Sequence, residues 1–246
     1  MQIVIISDLH CGSAVGLTPS PSNAVQKGLL ERYEDCIKQL GRPDLLIVNG
    51  DATDGLQIKG GMKDDDDWIP SQIDHAAQLV SMWKAKEVFV VGGTPYHVSA
   101  MSGKVDFEEI LAHRIRAKFQ NKLDMVLGGW FRLMCRHKIG SSSIPHGRFT
   151  PQSRSRMWSI LNSTVDGDKP PHLSVFSHVH FFSFCEDFMG ASMTTPAWSA
   201  LGSAFGDSLD GHCDVGAVKI TVKGKDDWRW EKRLYKAAVV DRRVSR

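Results

Sequence analysis

The chain has 246 residues, 42% of them hydrophobic, which is enough to bury one sizeable core, and α/β folds of ~200–250 residues commonly form a single domain. A formal net charge of +2 excludes the dense basic footprint of a charge-driven nucleic-acid or membrane-surface binder. Five scattered cysteines, Cys11, Cys36, Cys135, Cys185 and Cys213, lack Cys-x-x-Cys spacing; this argues against a disulfide framework or a thiolate zinc site and suits a reducing compartment.

No signal-peptide pattern precedes the first strand, and no apolar run reaches the ~20 residues of a membrane span, so the expected location is cytoplasmic, away from membranes. Gln2 to Ile6 reads as a short buried strand, because β-branched apolar residues run together without helical spacing. It ends in Asp8-x-His10. In extended chain, positions i and i+2 point the same way, so both side chains can face one metal ion. A Pro/Ser loop, Thr18 to Ser22, leads into a helix from about Ser22 to Leu40, with Leu29, Leu30, Tyr33, Ile37 and Leu40 on one stripe. Gly41 and Pro43 end it. A second strand, Leu45 to Asn49, runs into Gly50-Asp51-x-x-Asp54, where Gly50 lets the backbone turn close to whatever Asp51 holds.

Residues 55–69 form a loop whose run Asp64 to Asp67 reads as solvated, because four consecutive carboxylates point in different directions. A helix over about Ser71 to Lys86 buries Ile73, Ala76, Ala77, Val80 and Trp83. Strand three, Glu87 to Val91, is followed by Gly92-Gly93-Thr94-Pro95-Tyr96-His97, and a helix is predicted over Asp106 to Phe119. The order βαβαβα implies parallel strands joined by right-handed crossovers. The second half changes character. A strand-like segment, Phe131 to Arg136, leads to a turn from Ser141 to Gly147 carrying His146, then to a short helix over Ser153 to Asn162. Extended segments follow at Leu173 to His180, Phe181 to Phe184, Val215 to Val222 and Trp228 to Tyr235. Residues 1–246 are therefore read as one domain of two packed sheets with helices outside.

Three successive buried strands end in ligand-type residues: Asp8 with His10, then Asp51, then Thr94 with His97. A fourth ends in Ser177-His178-Val179-His180, again with imidazoles at i and i+2. The crevice at the carboxyl ends of the strands is where open α/β sheets bind ligands. Two carboxylates with several imidazoles and no thiolates suit manganese, iron, zinc or cobalt better than magnesium or calcium. His75 and His113 fall inside helices, and His137, His172 and His212 lack a partnered spacing, so all five read as structural. Arg148, Arg154 and Arg156 follow His146 as charges at a helix start, with Arg148 the candidate to contact a substrate phosphate.

Asp8-x-His10, Gly50-Asp51, a glycine-led turn with His97, His146-Gly147 and His178-x-His180 resemble, in order and approximate spacing, the signature of calcineurin-like metallophosphoesterases. The resemblance extends from residue 8 to 180 and, through Gly-Thr-x-x-His and Thr195-Pro196-Ala197-Trp198, is similar to the phage and prophage branch of that superfamily. It implies a four-layer α/β/β/α sandwich of two mixed sheets and a site for two divalent metal ions, manganese first, with iron, zinc or cobalt as alternatives. By matching position, Asp8, His10 and His180 hold one ion, His146 and His178 the other, and Asp51 bridges them. His97 becomes the catalytic group that protonates the departing alkoxide.

The sequence departs from the pattern twice. Ser177 replaces a glycine, a change of small residue for small, and Thr94 stands where the family has an asparagine ligand, as a weak ligand or a support behind the metal. The implied activity is hydrolysis of phosphate esters by a metal-activated water, with phosphodiesters, nucleotides and nucleic acid as candidate substrates. Phosphomonoesters or phosphoproteins are the alternative substrates, and a non-catalytic, protein-binding member of the same fold is the rival from another class.

Overall fold

Alternation along β1 (Gln2–Ile6) divides the molecule into layers: Ile3 and Ile5 enter one core, while Val4 and Ile6 enter another on the opposite face. In the computed structural model, which describes residues 1–56, 68–98, 105–142, 144–200, 213–224 and 227–236, the same division continues along β2 (Leu45–Asn49) and β3 (Glu87–Val91). Leu45, Ile47, Phe89 and Val91 lie on the Ile3 side; Leu46, Val48 and Val90 lie on the Val4 side. The Asp64 to Asp67 run lies outside the described residues.

The Val4 side is covered by α1 (Ala24–Leu40), α2 (Ile69–Met82) and α4 (Phe107–Arg114), which follow β1, β2 and β3; α3 (Pro95–Val98) is a single turn after β3. Asn23 caps α1 by accepting the Gln26 N–H, and Asp106 caps α4 by accepting those of Glu108 and Glu109. The predicted helix over Asp106 to Phe119 is shorter than its apolar spacing suggested. Arg116 takes a left-handed backbone (φ 55) that closes the helix, and Phe119 instead pairs with Val90 in the edge strand β4 (Lys118–Gln120).

The Ile3 side faces a second sheet made of β5 (Leu123–Leu127), β6 (Phe131–Arg136), β7 (Leu173–Phe176), β8 (Ser183–Asp187) and β9 (Gly190–Thr194). Its strand order is β5-β6-β7-β9-β8, with β6, β7 and β9 parallel and both edges antiparallel. The first sheet runs β11-β10-β1-β2-β3-β4, where β10 (Asp214–Gly224) and β11 (Asp227–Lys236) return antiparallel beside β1. Phe131, Leu133, Val175 and Met193 meet Ile3, Ile47 and Val218 between the sheets. Among the described residues a single helix, α5 (Thr150–Val165), lies against β9 on the outside of the second sheet. The architecture is the expected α/β/β/α sandwich of two mixed sheets. Among the described residues no helix is long and apolar enough to cross a membrane, and all five cysteines are free.

One polar chain ties two helices together inside the helix-side core. Trp83 Nε1 donates to the Tyr33 hydroxyl at 2.8 Å, and that hydroxyl donates to Leu79 O at 3.0 Å. Tyr33 also meets the Trp198 ring edge-on, and Trp198 is fully buried in this core. Tyr33→Phe would strand a buried indole N–H, which costs ~1–3 kcal/mol. Urea denaturation should show a lower midpoint at unchanged slope; an unchanged midpoint would mean that water satisfies the indole.

Candidate metal centre

Both sheets deliver their strand ends to one edge. β1, β2 and β3 run parallel and end at Ile6, Asn49 and Val91; β6 and β7, parallel in the other sheet, end at Arg136 and Phe176. The exits of β1 and β2 are laced by backbone bonds: the Asp8 N–H donates to Gly50 O, that of His10 to Asp51 O and that of Cys11 to Ala52 O, at 3.0–3.1 Å. A hydroxyl network joins the sheets beneath them. Thr195 Oγ1 lies 2.8 Å from Ser7 Oγ and 2.7 Å from Ser177 Oγ, and Asn49 Nδ2 donates to Ser177 Oγ at 2.7 Å. Ser177, the departure from the glycine pattern, therefore works as a cross-sheet tie.

Asp8, His10, Asp51, His178 and His180 all have positive φ, between 46 and 71, and only Lys84 and Arg116 share this among the described non-glycine residues. Left-handed backbone costs a non-glycine residue ~1–2 kcal/mol and collects where function demands a particular aim. It also corrects the reason for pairing Asp8 with His10 and His178 with His180. They converge because the chain curls at each residue, not because an extended strand points alternate side chains one way.

The convergence forms three groups whose ligand atoms lie within 4.8 Å of one another: Asp8, His10 and His180; Asp51, His137 and His178; and His10, Asp51 and His97. Asp8 Oδ1 is 3.1 Å from His180 Nε2 and 3.9 Å from both His10 Nε2 and His137 Nε2. His137 Nε2 is 2.9 Å from Asp51 Oδ2. Neither Asp8 Oδ1 nor His137 Nε2, both buried, has an aligned hydrogen bond among the described residues.

Neighbouring groups fix the tautomers. Because a carbonyl or carboxylate can only accept, His137 Nδ1–H donates to Asn49 O (2.7 Å), His97 Nδ1–H to Asp54 O (3.0 Å) and His10 Nδ1–H to Asp54 Oδ1 (3.1 Å). In each neutral ring Nε2 is then left as a lone pair. Lone pairs of His137 and Asp51 facing each other at 2.9 Å repel unless a cation lies between them. A proton or a metal ion would serve, and a set of carboxylates and imidazoles backed by carbonyl and carboxylate acceptors fits a divalent metal.

His137 was not anticipated, and His146 does not join the centre. His146 sits exposed in a short 3-10 turn, Pro145–Gly147, outside all three groups found among the described residues, so the structure does not bring it to the centre. His137 is the first residue beyond β6 and is buried at 1% exposure. The signal was its place at a strand end, the same feature that marks Asp8, Asp51 and Ser177. Gly50 confirms the fit: at φ 85, a Cβ there would come within 2.5 Å of the His137 ring. Thr94 supports the site through two atoms. Its N–H donates to Asp51 Oδ1 at 2.6 Å, and its hydroxyl lies 3.1 Å from His178 Nδ1. Arg148 lies over the Phe181 ring, 3.9 Å from its centroid and one residue along from His180.

Burial raises the cost of ionising Asp8 and Asp51, but His180 and His137 for the first and His137 for the second outweigh it and hold both well below the usual carboxylate range. Burial also opposes a charge on His137, yet Asp51 and Asp8 pull it up to about 9. Burial, then His137, pushes His178 down to about 4; burial, then His10, lowers His97. Behind the site Glu108 is fully buried, accepts the Ala52 N–H at 2.7 Å, and is pushed up to about 8 by burial.

The signs give a stability profile for the chain stripped of metal. His137 and Glu108 keep protons when folded that the unfolded chain releases, so their contribution is intact at low pH and fades as pH rises. From pH 6.5 to about 8 both act in one direction, and from about 8 to about 9 His137 continues. His180, opposed by burial but held above the usual imidazole range by Asp8, acts the same way; His137 alone contributes on the order of 3 kcal/mol. Asp8 and Asp51, ionised in both states there, add no slope. Urea titrations in chelator should show stability declining across this window, and a flat profile would sink the assignment of His137 as an imidazolium between two carboxylates.

Residues 1–192 match the family model described as calcineurin-like phosphoesterase. No curated protein matches the chain. Among solved structures, the chain is similar to Vps29 of Entamoeba histolytica in complex with zinc, at 15% identity over 95% of this chain and 99% of that one, with a TM-score of 0.47. Vacuolar protein sorting 29 of Cryptosporidium parvum gives 12% identity over 96% and 97%, with a TM-score of 0.49. A novel archaeal phosphodiesterase gives 11% over 96% and 100%, with a TM-score of 0.48. At TM-scores below 0.5 none of these likenesses bears on the chemistry of the site.

Proposed function

The chain belongs to the calcineurin-like phosphoesterase family, and on that premise we propose that it hydrolyses phosphate esters at a pair of divalent ions, with phosphodiesters preferred. The observation that carries this reading is the meeting of Asp8, His10 and His180 beside Asp51, His137 and His178, with two buried ligand atoms left without aligned partners among the described residues. Residues 1–246 are taken as one domain, since β10 and β11, beyond the matched residues, complete the sheet that starts with β1.

Asp8, His10 and His180 would hold one ion and Asp51, His137 and His178 the other. Asp51 is the candidate bridge because it also belongs to the group containing His10. Divalent ions there would polarise phosphoryl oxygens and lower the pKa of a water to near neutrality, with manganese the first candidate and iron, zinc or cobalt the alternatives. The two carboxylates offset half the charge of two dications; a diester monoanion and one hydroxide offset the rest, whereas a monoester dianion overshoots. Thr94 positions Asp51 and His178 and is not itself proposed as a ligand. Arg148, stacked on Phe181 beside His180, is placed to meet a substrate phosphate at the rim.

Replacing His137 with Ala should leave one equivalent of tightly bound metal and cut turnover of bis-p-nitrophenyl phosphate at least ~10²-fold, while His146→Ala should leave both measures unchanged. Elemental analysis beside a diester and monoester panel decides it. Loss of metal in the His146 variant, or a strong preference for the monoester, would reject the reading as stated.

His97 is the proposed leaving-group acid. Asp54 O holds its Nδ1 proton, so Nε2 is the atom that would carry the exchanged proton, in a ring that lies 4.6 Å from the His10 ring and is grouped with Asp51. General-acid help is worth ~10²–10⁴-fold and matters more for an alkoxide than for p-nitrophenolate. His97→Ala should therefore slow alkyl diesters severely and nitrophenyl esters mildly, with metal content unchanged. Loss of metal would make His97 a ligand instead.

A further inference from the structure

Helix α5 is built inside out. Its buried residues include Gln152, Arg156 and Ser163, and polar bonds fasten it to the second sheet: Gln152 to Ser192 O and Ser183 Oγ, and Arg156 to Pro171 O and the Asp187 carboxylate. The opposite face is apolar. Met157, Leu161 and Val165, spaced four apart, and Trp158 between them are each at least half exposed. Beside them the β8–β9 turn, tied to the helix by the Arg156–Asp187 pair, presents Phe188 and Met189 to solvent. An ordinary surface helix shows the reverse arrangement.

The charges are also reversed. Acidic residues are missing from the first turn and basic residues from the last, while Arg154 lies near the N-terminus and Asp166 caps the C-terminus. Each opposes the helix dipole. Neither has a partner among the described residues. Arg154 shares the outward face with the apolar stripe, so along that face a positive end, an apolar middle and a negative end follow one another. A second copy laid antiparallel is complementary to this pattern: with the two-fold axis between Trp158 and Leu161, Arg154 of each copy faces Val165 and Asp166 of the other.

We propose that this face is a dimer interface in which α5 of one chain packs antiparallel on α5 of a second copy about a two-fold axis. Fully exposed Phe188 and the exposed parts of Trp158, Met157, Leu161 and Val165 give the face a contiguous apolar surface of the kind that marks an interaction site. The strand ends that carry Asp8, Asp51 and His137 are contributed by other elements, so dimerisation does not require their loss or rearrangement.

Sedimentation velocity of the full chain across a micromolar concentration series tests this. The unmodified chain should sediment as a dimer; Trp158→Asp should sediment as a monomer with an unaltered circular-dichroism spectrum. Arg154→Asp should weaken the dimer several-fold, and Arg154→Asp combined with Asp166→Arg should restore it, which keeps the test independent of how Trp158→Asp folds. A monomer at every concentration, a dimer unaffected by Trp158→Asp, or a double variant no tighter than Arg154→Asp alone would overturn the proposal.

Discussion

Two carboxylates cannot be buried side by side and both stay ionised unless positive charge is supplied at the same point. Asp8 and Asp51, at 0% and 1% exposure, meet that condition through His137, whose Nε2 lies 2.9 Å from Asp51 and 3.9 Å from Asp8, together with His180, 3.1 Å from Asp8. The rest of the edge follows from holding that imidazole in place. Asn49 O fixes its proton, Gly50 leaves room for its ring, and the Asn49 side chain reaches Ser177 in the neighbouring sheet. On the proposed assignment, a metal ion held by Asp51 and His137 would displace the proton that otherwise lies between them, so binding would tighten as pH rises.

The strain stored at the site has a matching support. Five left-handed residues, at ~1–2 kcal/mol each, would relax if the chain could move. They are held by backbone bonds to neighbouring exits: Asp8 to Gly50, His10 to Asp51, and Asp214 to the His180 carbonyl. Trp198, fixed in the helix-side core, donates its backbone N–H to Asp8 O, so packing far from the centre also restrains the first ligand. Glu108 reaches the same loop from α4 through Ala52.

Much of this was legible in the chain. The buried strands were visible as β-branched runs, and the Asp and His residues that end them marked the edge before any coordinates. The helix that overran to Phe119 was misread because Ile115 and Phe119 keep helical spacing even though Arg116 breaks the backbone between them. β9, built from Gly190, Ala191, Ser192, Met193 and Thr194, carries too little bulk to signal a strand alone and exists because β7 and β8 flank it. His137 was hidden because a lone histidine after a charged strand end has no partner in sequence. Its partners, Asp51 and Asp8, are far away along the chain, and the fold brings them together.

The two departures from the family pattern share one physical logic. Thr94 gives up the carbonyl of an asparagine, but its N–H and hydroxyl span Asp51 and His178, two ligands of the same group. Ser177 gives up the freedom of glycine, but its hydroxyl joins Asn49 and Thr195 across the sheets. Both exchanges replace direct coordination or backbone freedom with a support one bond behind the ligands. Such outer contacts set the orientation and basicity of a metal's ligands, and their loss typically costs 10–100-fold in affinity. On the proposed assignment of three protein ligands to each ion, the site would stay rigid with one ligand fewer, provided the supports behind it remain in place.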